Sequence, residues 1–102
     1  MESAIVTVKT KTSRLDVAEL LETPEEIAAF LDAVFEEDGD DPAFIADALG
    51  VVARAKGMSD LAKETGLDRA SLYKALSEDG KPSFDTIMKV VKAFGLKLRF
   101  AV

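Results

Sequence analysis

Residues 59–76 read Ser59-Asp60-Leu61-Ala62-Lys63-Glu64-Thr65-Gly66-Leu67-Asp68-Arg69-Ala70-Ser71-Leu72-Tyr73-Lys74-Ala75-Leu76, and this stretch decides the fold. It fits a pair of short helices. Ser59 is placed to cap the first, which ends at Gly66. Glycine there supplies a positive φ at little steric cost, so the chain can turn sharply. Leu67 points back to a core, and Asp68 caps the second helix. Ala62 is small where the helices cross, so a longer side chain would push them apart. Leu61, Leu67, Leu72, Ala75 and Leu76 hold the pair against its neighbours. Each sign is common alone, but their joint pattern fits a DNA-binding helix-turn-helix. The plainer alternative is a helical hairpin in a small bundle.

The flanks read as further helices. Thr23-Pro24-Glu25-Glu26 is a start signal with Thr23 as N-cap, Pro24 in the first helical position and Glu26 completing a capping box. Ile27, Phe30, Leu31, Val34 and Phe35 follow at helical spacing as one apolar stripe. The helix ends in Glu36-Glu37-Asp38, where carboxylates oppose the helix dipole and predict fraying. Asp41-Pro42 starts the next helix, to about Lys56, with Phe44, Ile45, Ala48, Leu49 and Val52 inward. Gly50 weakens it by about 1 kcal/mol relative to alanine, which points to close packing. Ser83 caps a helix from Phe84 to Phe94, with Phe84, Ile87, Val90, Val91 and Phe94 inward. Ser13 is placed to cap a short helix holding Val17, Ala18, Leu20 and Leu21. Ile5–Val8 and Leu96–Val102 have strand character, the latter alternating apolar and basic residues. The two segments are expected to meet in a small sheet, within one chain or exchanged between two.

The expected fold is therefore mainly α, a lambda-repressor-like helix-turn-helix bundle with a small terminal β-sheet or strand pair. The 102 residues read as a single domain: an acidic N-terminal segment over residues 1–41, a helix-turn-helix core over 42–95 and a C-terminal strand over 96–102.

Composition narrows the function. Apolar residues make up 48% and charged residues 31%, as in a folded globular domain. The chain has no cysteine and no histidine, which excludes disulfides, thiol chemistry and the commonest general base and metal ligand. The carboxylates fall on helical faces with no basic or metal-ligand constellation around them, so no enzyme, cofactor or metal is expected. No run is long and apolar enough for a membrane span, and Glu2 stands where a signal peptide would be positive. The cytoplasm is the expected compartment.

Net charge is −6, but it is unevenly divided. Residues 1–50 hold three basic and thirteen acidic side chains, whereas residues 51–102 hold ten basic and six acidic. The halves predict two surfaces with different partners. On the second helix of the motif, Arg69, Ala70, Ser71, Tyr73 and Lys74 face outward. Arg69 is the best candidate to read a base, because a guanidinium bonds guanine O6 and N7 together. Ala70 fits against a thymine methyl, and Ser71 either contacts DNA or caps locally with Asp68. Tyr73 offers its hydroxyl to a phosphate or its ring to the core edge. Lys74, Lys81, Ser83 and Ser59 suit phosphates, which position a protein without reading sequence.

The segments Asp16-Val-Ala-Glu-Leu-Leu, Glu26-Ile-Ala-Ala-Phe-Leu, Ala53-Arg-Ala-Lys-Gly-Met-Ser, Thr65-Gly-Leu, Ser71-Leu-Tyr-Lys-Ala-Leu and Pro82-Ser-Phe resemble the addiction-module antidote proteins. These are HigA-like antitoxins of the Xre/lambda-repressor helix-turn-helix superfamily. The resemblance covers about residues 13–99 and is most specific through Ser71–Leu76. It departs at Asp68, where the family often has serine; aspartate still caps but brings negative charge near DNA. The resemblance implies an antitoxin that neutralises a RelE/ParE-like toxin and represses its own promoter. Such toxins are usually basic, so Glu19, Glu22, Glu25, Glu26, Glu36, Glu37 and Asp38 are candidate toxin-binding residues by charge complementarity. Double-stranded DNA and a homodimer are the other expected partners, since dimers read paired half-sites. Competing readings are a prophage-type regulator without a toxin and an interaction module that has lost DNA binding.

Overall fold

A computed structural model describes residues 20–102. Among these residues all regular structure is helical: α1 Pro24–Asp38, α2 Pro42–Lys56, α3 Met58–Thr65, α4 Arg69–Ala75 and α5 Phe84–Ala93.

Local chemistry starts four of the helices. The Thr23 hydroxyl accepts from the Glu26 N–H at 3.1 Å while the Thr23 N–H donates to Glu26 Oε1 at 3.0 Å, a reciprocal capping box. Asp41 Oδ1 accepts from the Ala43 and Phe44 amides, Asp68 Oδ2 from Ser71 and Ser83 Oγ from Thr86. Each bond satisfies an amide that the helix itself leaves orphaned. The exception is α3. It begins at Met58 with Gly57 as N-cap and no side-chain cap, so Ser59 sits inside the first turn instead of capping it. Gly57 also closes α2 by donating its N–H to the Ala53 carbonyl, leaving no residue between the two helices for a serine cap.

Packing centres on α3, which touches α2, α4 and α5, while α1 packs on α2. The core gathers Ile27 and Val34 from α1, Val52 from α2, Leu61 from α3, Leu72 and Leu76 around α4, and Val90 and Phe94 around α5. Full burial of one such side chain contributes about 1.5–3 kcal/mol. α2 is buried along a broader stripe than expected. Ala46, Gly50 and Ala53 join Ala48, Leu49 and Val52, while Phe44 and Ile45 stay half-buried at its edge.

Other expectations need correction. The terminal β-sheet is absent among the described residues: 96–102 form no strand, and Phe100 is 97% exposed. Period-2 alternation makes a strand only where a neighbour supplies the ladder hydrogen bonds. None of the described residues does so; Ile5–Val8 lies outside them, as does the Ser13 cap. The lambda-repressor-like bundle with a strand pair is thus replaced by an all-helical arrangement. Phe35 and Phe84, expected inside, are 54% and 66% exposed, because each lies at the margin of its helix's buried stripe. α1 keeps helical geometry through Asp38 despite the carboxylates at its end.

Gly66 sits at φ 72°, ψ 14°, and nothing lies within 4 Å of the place where a Cβ would project. Gly66→Ala is therefore penalised by backbone strain alone, about 1–2 kcal/mol, and Gly66→Asn by less, since asparagine visits this region more readily. Urea unfolding of the two variants checks the order. Equal stability of Gly66→Ala and wild type would rule out the left-handed turn.

Candidate nucleic-acid interface

α4 is seven residues long, and Leu72 is its one buried side chain. Leu76, just beyond its end, is fully buried. Anchored from beneath at these two points, the helix presents Arg69, Ala70, Ser71, Tyr73 and Lys74 exposed. The three-residue turn Gly66-Leu67-Asp68 ties it to α3, and Leu67 packs partly buried on the core.

The exposed face is organised by internal contacts. Ser71 donates its hydroxyl proton to Asp68 Oδ2 at 3.2 Å, in addition to the amide bond that caps the helix. That contact leaves the Ser71 oxygen as an acceptor, suited to a base amino group better than to a phosphate. The Arg69 guanidinium carbon lies 5.2 Å from the centroid of the Tyr73 ring. Four-residue spacing on a helix makes the pair neighbours, and that spacing is the signal of the contact in the sequence. Tyr73 itself is 40% exposed.

The remaining DNA candidates lie on adjoining elements. Ser59 is exposed in the uncapped first turn of α3. Lys81 and Ser83 lie between α4 and α5, and Ser83 Oγ both accepts from the Thr86 amide and donates to Thr86 Oγ1. Its proton is thus engaged within its own helix start, as the Ser71 proton is by Asp68.

The acidic candidates form no single cluster. Glu22, Glu25 and Glu26 stand at the start of α1, and Glu26 spends its carboxylate on the Glu22 and Thr23 amides. Glu36, Glu37 and Asp38 stand at its other end. From Glu26 to Glu36 the helix rises about 15 Å. Glu19 lies outside the described residues. Between the two groups the exposed surface carries Asp32 and Phe35, neither of which helical spacing marks as a site residue, since it places Phe35 inward. Residues 20–53 hold ten carboxylates and no basic side chain.

Among the described residues no group of acidic side chains is arranged to hold a metal ion, and no helix is long and apolar enough to cross a membrane.

Fold and surface define a small helical protein that displays a short basic and aromatic helix at one place and carboxylates at another. The sequence pattern of a family described as "probable addiction module antidote protein" matches residues 11–102, and the chain belongs to that family. A protein of Haemophilus influenzae described as uncharacterized is 46% identical over 84 residues, covering 82% of this chain and 84% of the relative. No solved structure matches the chain significantly.

Proposed function

We propose that this chain is a HigA-like antitoxin that binds DNA through α3 and α4, represses its own promoter and neutralises a RelE/ParE-like toxin. Family membership supports the antitoxin role, because an addiction-module antidote implies a toxin partner. The observation that carries DNA binding is the outward face of α4. A helix held by Leu72 and capped by Asp68 offers Arg69, Ala70, Ser71, Tyr73 and Lys74 to solvent on a half of the chain rich in basic residues. A helix of this size presented on a tight turn fits a major groove, with its N-terminal residues nearest the bases. Lys81, Ser83 and the uncapped start of α3 at Ser59 suit the flanking phosphates. A homodimer would read two half-sites about one helical turn apart. The carboxylates of α1 suit a basic toxin, and binding of that kind weakens with salt. No catalytic role is proposed for them.

Two variants test the DNA surface. Arg69→Ala is expected to lose about 1–3 kcal/mol of discrimination against the wrong base at one operator position. Lys81→Ala is expected to weaken binding to all sequences alike and to lower the salt slope by about one. Competition titrations on promoter and unrelated duplexes separate the two effects. For the toxin, the product of the neighbouring gene should co-elute with this chain at low salt. A folded RelE-type neighbour that never co-elutes defeats the antitoxin reading.

A further inference from the structure

Arg69 and Tyr73 both stand on the exposed face of α4, and the guanidinium lies over the ring. Among the described residues Arg69 forms no ion pair; Tyr73 is the group it contacts. The cation–π contact occupies none of the five N–H donors of Arg69, and among the described residues none of them is hydrogen-bonded. Those donors are the ones that a bidentate base contact needs.

We propose that Tyr73 is a positioning residue for Arg69: its ring holds the guanidinium in place, so discrimination for a guanine depends on both side chains. The proposal rests on the DNA-binding reading above and deepens it. An unrestrained arginine loses rotamer freedom on meeting a base, whereas one already held on a ring loses less. The gain appears as base discrimination, since the held donors match guanine and not the alternatives. Tyr73 acts here through its ring, so its hydroxyl is dispensable. A phosphate-binding tyrosine would behave in the opposite way.

The chain has one tyrosine and no tryptophan, so its tyrosine emission and near-ultraviolet dichroism report on Tyr73 alone. In the free protein, Arg69→Ala should change both signals while far-ultraviolet dichroism stays constant. Unchanged tyrosine signals would overturn the contact itself, with no DNA involved.

The DNA arm uses the full chain and a fragment from upstream of its own gene, with each guanine in the protected region replaced in turn by adenine. Tyr73→Leu should lower discrimination at the Arg69-dependent guanine by about two- to fivefold. Tyr73→Phe should keep it. In an Arg69→Ala background, Tyr73→Leu should change nothing further at that guanine. Thermal unfolding confirms that each variant is folded. Undiminished discrimination in folded Tyr73→Leu, with wild type discriminating, overturns the positioning role and leaves DNA binding intact. Equal weakening of Tyr73→Phe and Tyr73→Leu on all duplexes overturns it in favour of a phosphate contact. Absence of any promoter binding by wild type overturns the DNA-binding reading and the positioning role with it.

Discussion

A Gly50→Ala variant should unfold at a clearly lower urea concentration than wild type, although alanine is the better helix former by about 1 kcal/mol. Gly50 lies within α2 and is buried. A Cβ there would run into the carbonyl oxygen of Leu76, with the Leu76 carbonyl carbon and an Arg54 guanidinium nitrogen each 3.1 Å away. The arginine tip can move aside, but the carbonyl cannot easily do so. The Leu76 N–H donates to the Leu72 carbonyl at 2.9 Å, and the Leu76 side chain is fully buried. Overpacking a core typically costs about 1–3 kcal/mol, and a main-chain obstacle belongs at or above the top of that range. Net destabilisation of about 2 kcal/mol or more is expected after the gain in helix propensity. Because the obstacle is the end of α4, the variant should lose DNA affinity as well. Wild-type stability in Gly50→Ala would mean that α2 and α4 do not meet as described.

Leu72→Ala should be at least as damaging. The side chain is 1% exposed and is the only one within α4 itself that is buried. Removing such a leucine costs about 2–5 kcal/mol through lost transfer energy and the cavity left behind. A seven-residue helix has little stability of its own. Losing its anchor should therefore unseat α4 before the rest of the fold gives way. Amide hydrogen exchange should rise first over Arg69–Ala75, and promoter binding should fall more than overall stability does. Leu72→Met keeps the volume and should cost less than about 1.5 kcal/mol. Uniform exchange in Leu72→Ala would show that α4 does not hang on this side chain.

The legible features of the fold are those decided within a few residues. The capping box at Thr23, the Asp-Pro start at Asp41, and the Asp68 and Ser83 caps each need only a side chain and an amide two or three positions on. The illegible features depend on distant partners. Gly50 is recognisable as a site of close packing, but what it packs against is the carbonyl of Leu76, far along the chain. Ser59 reads as a cap because nothing local reveals that Gly57 ends one helix and starts the next. Leu96–Val102 alternate correctly for a strand, yet alternation cannot supply the neighbour that a strand requires. In the candidate site, spacing alone separates inward Leu72 from the outward residues around it. Spacing also makes Arg69 and Tyr73 neighbours, but it does not show that the guanidinium lies over the ring or that Ser71 gives its proton to Asp68, because both depend on rotamers.

The central claim is that an acidic chain binds specific DNA through one basic helix face. Its most direct test is a titration of the full chain onto DNA from upstream of its own gene, beside unrelated DNA, at about 50 and about 200 mM salt. Preference for the upstream fragment at both concentrations is expected, with a steep loss of affinity with salt, as displaced counterions require. No binding at the lower salt, or equal binding to both fragments, would contradict the claim.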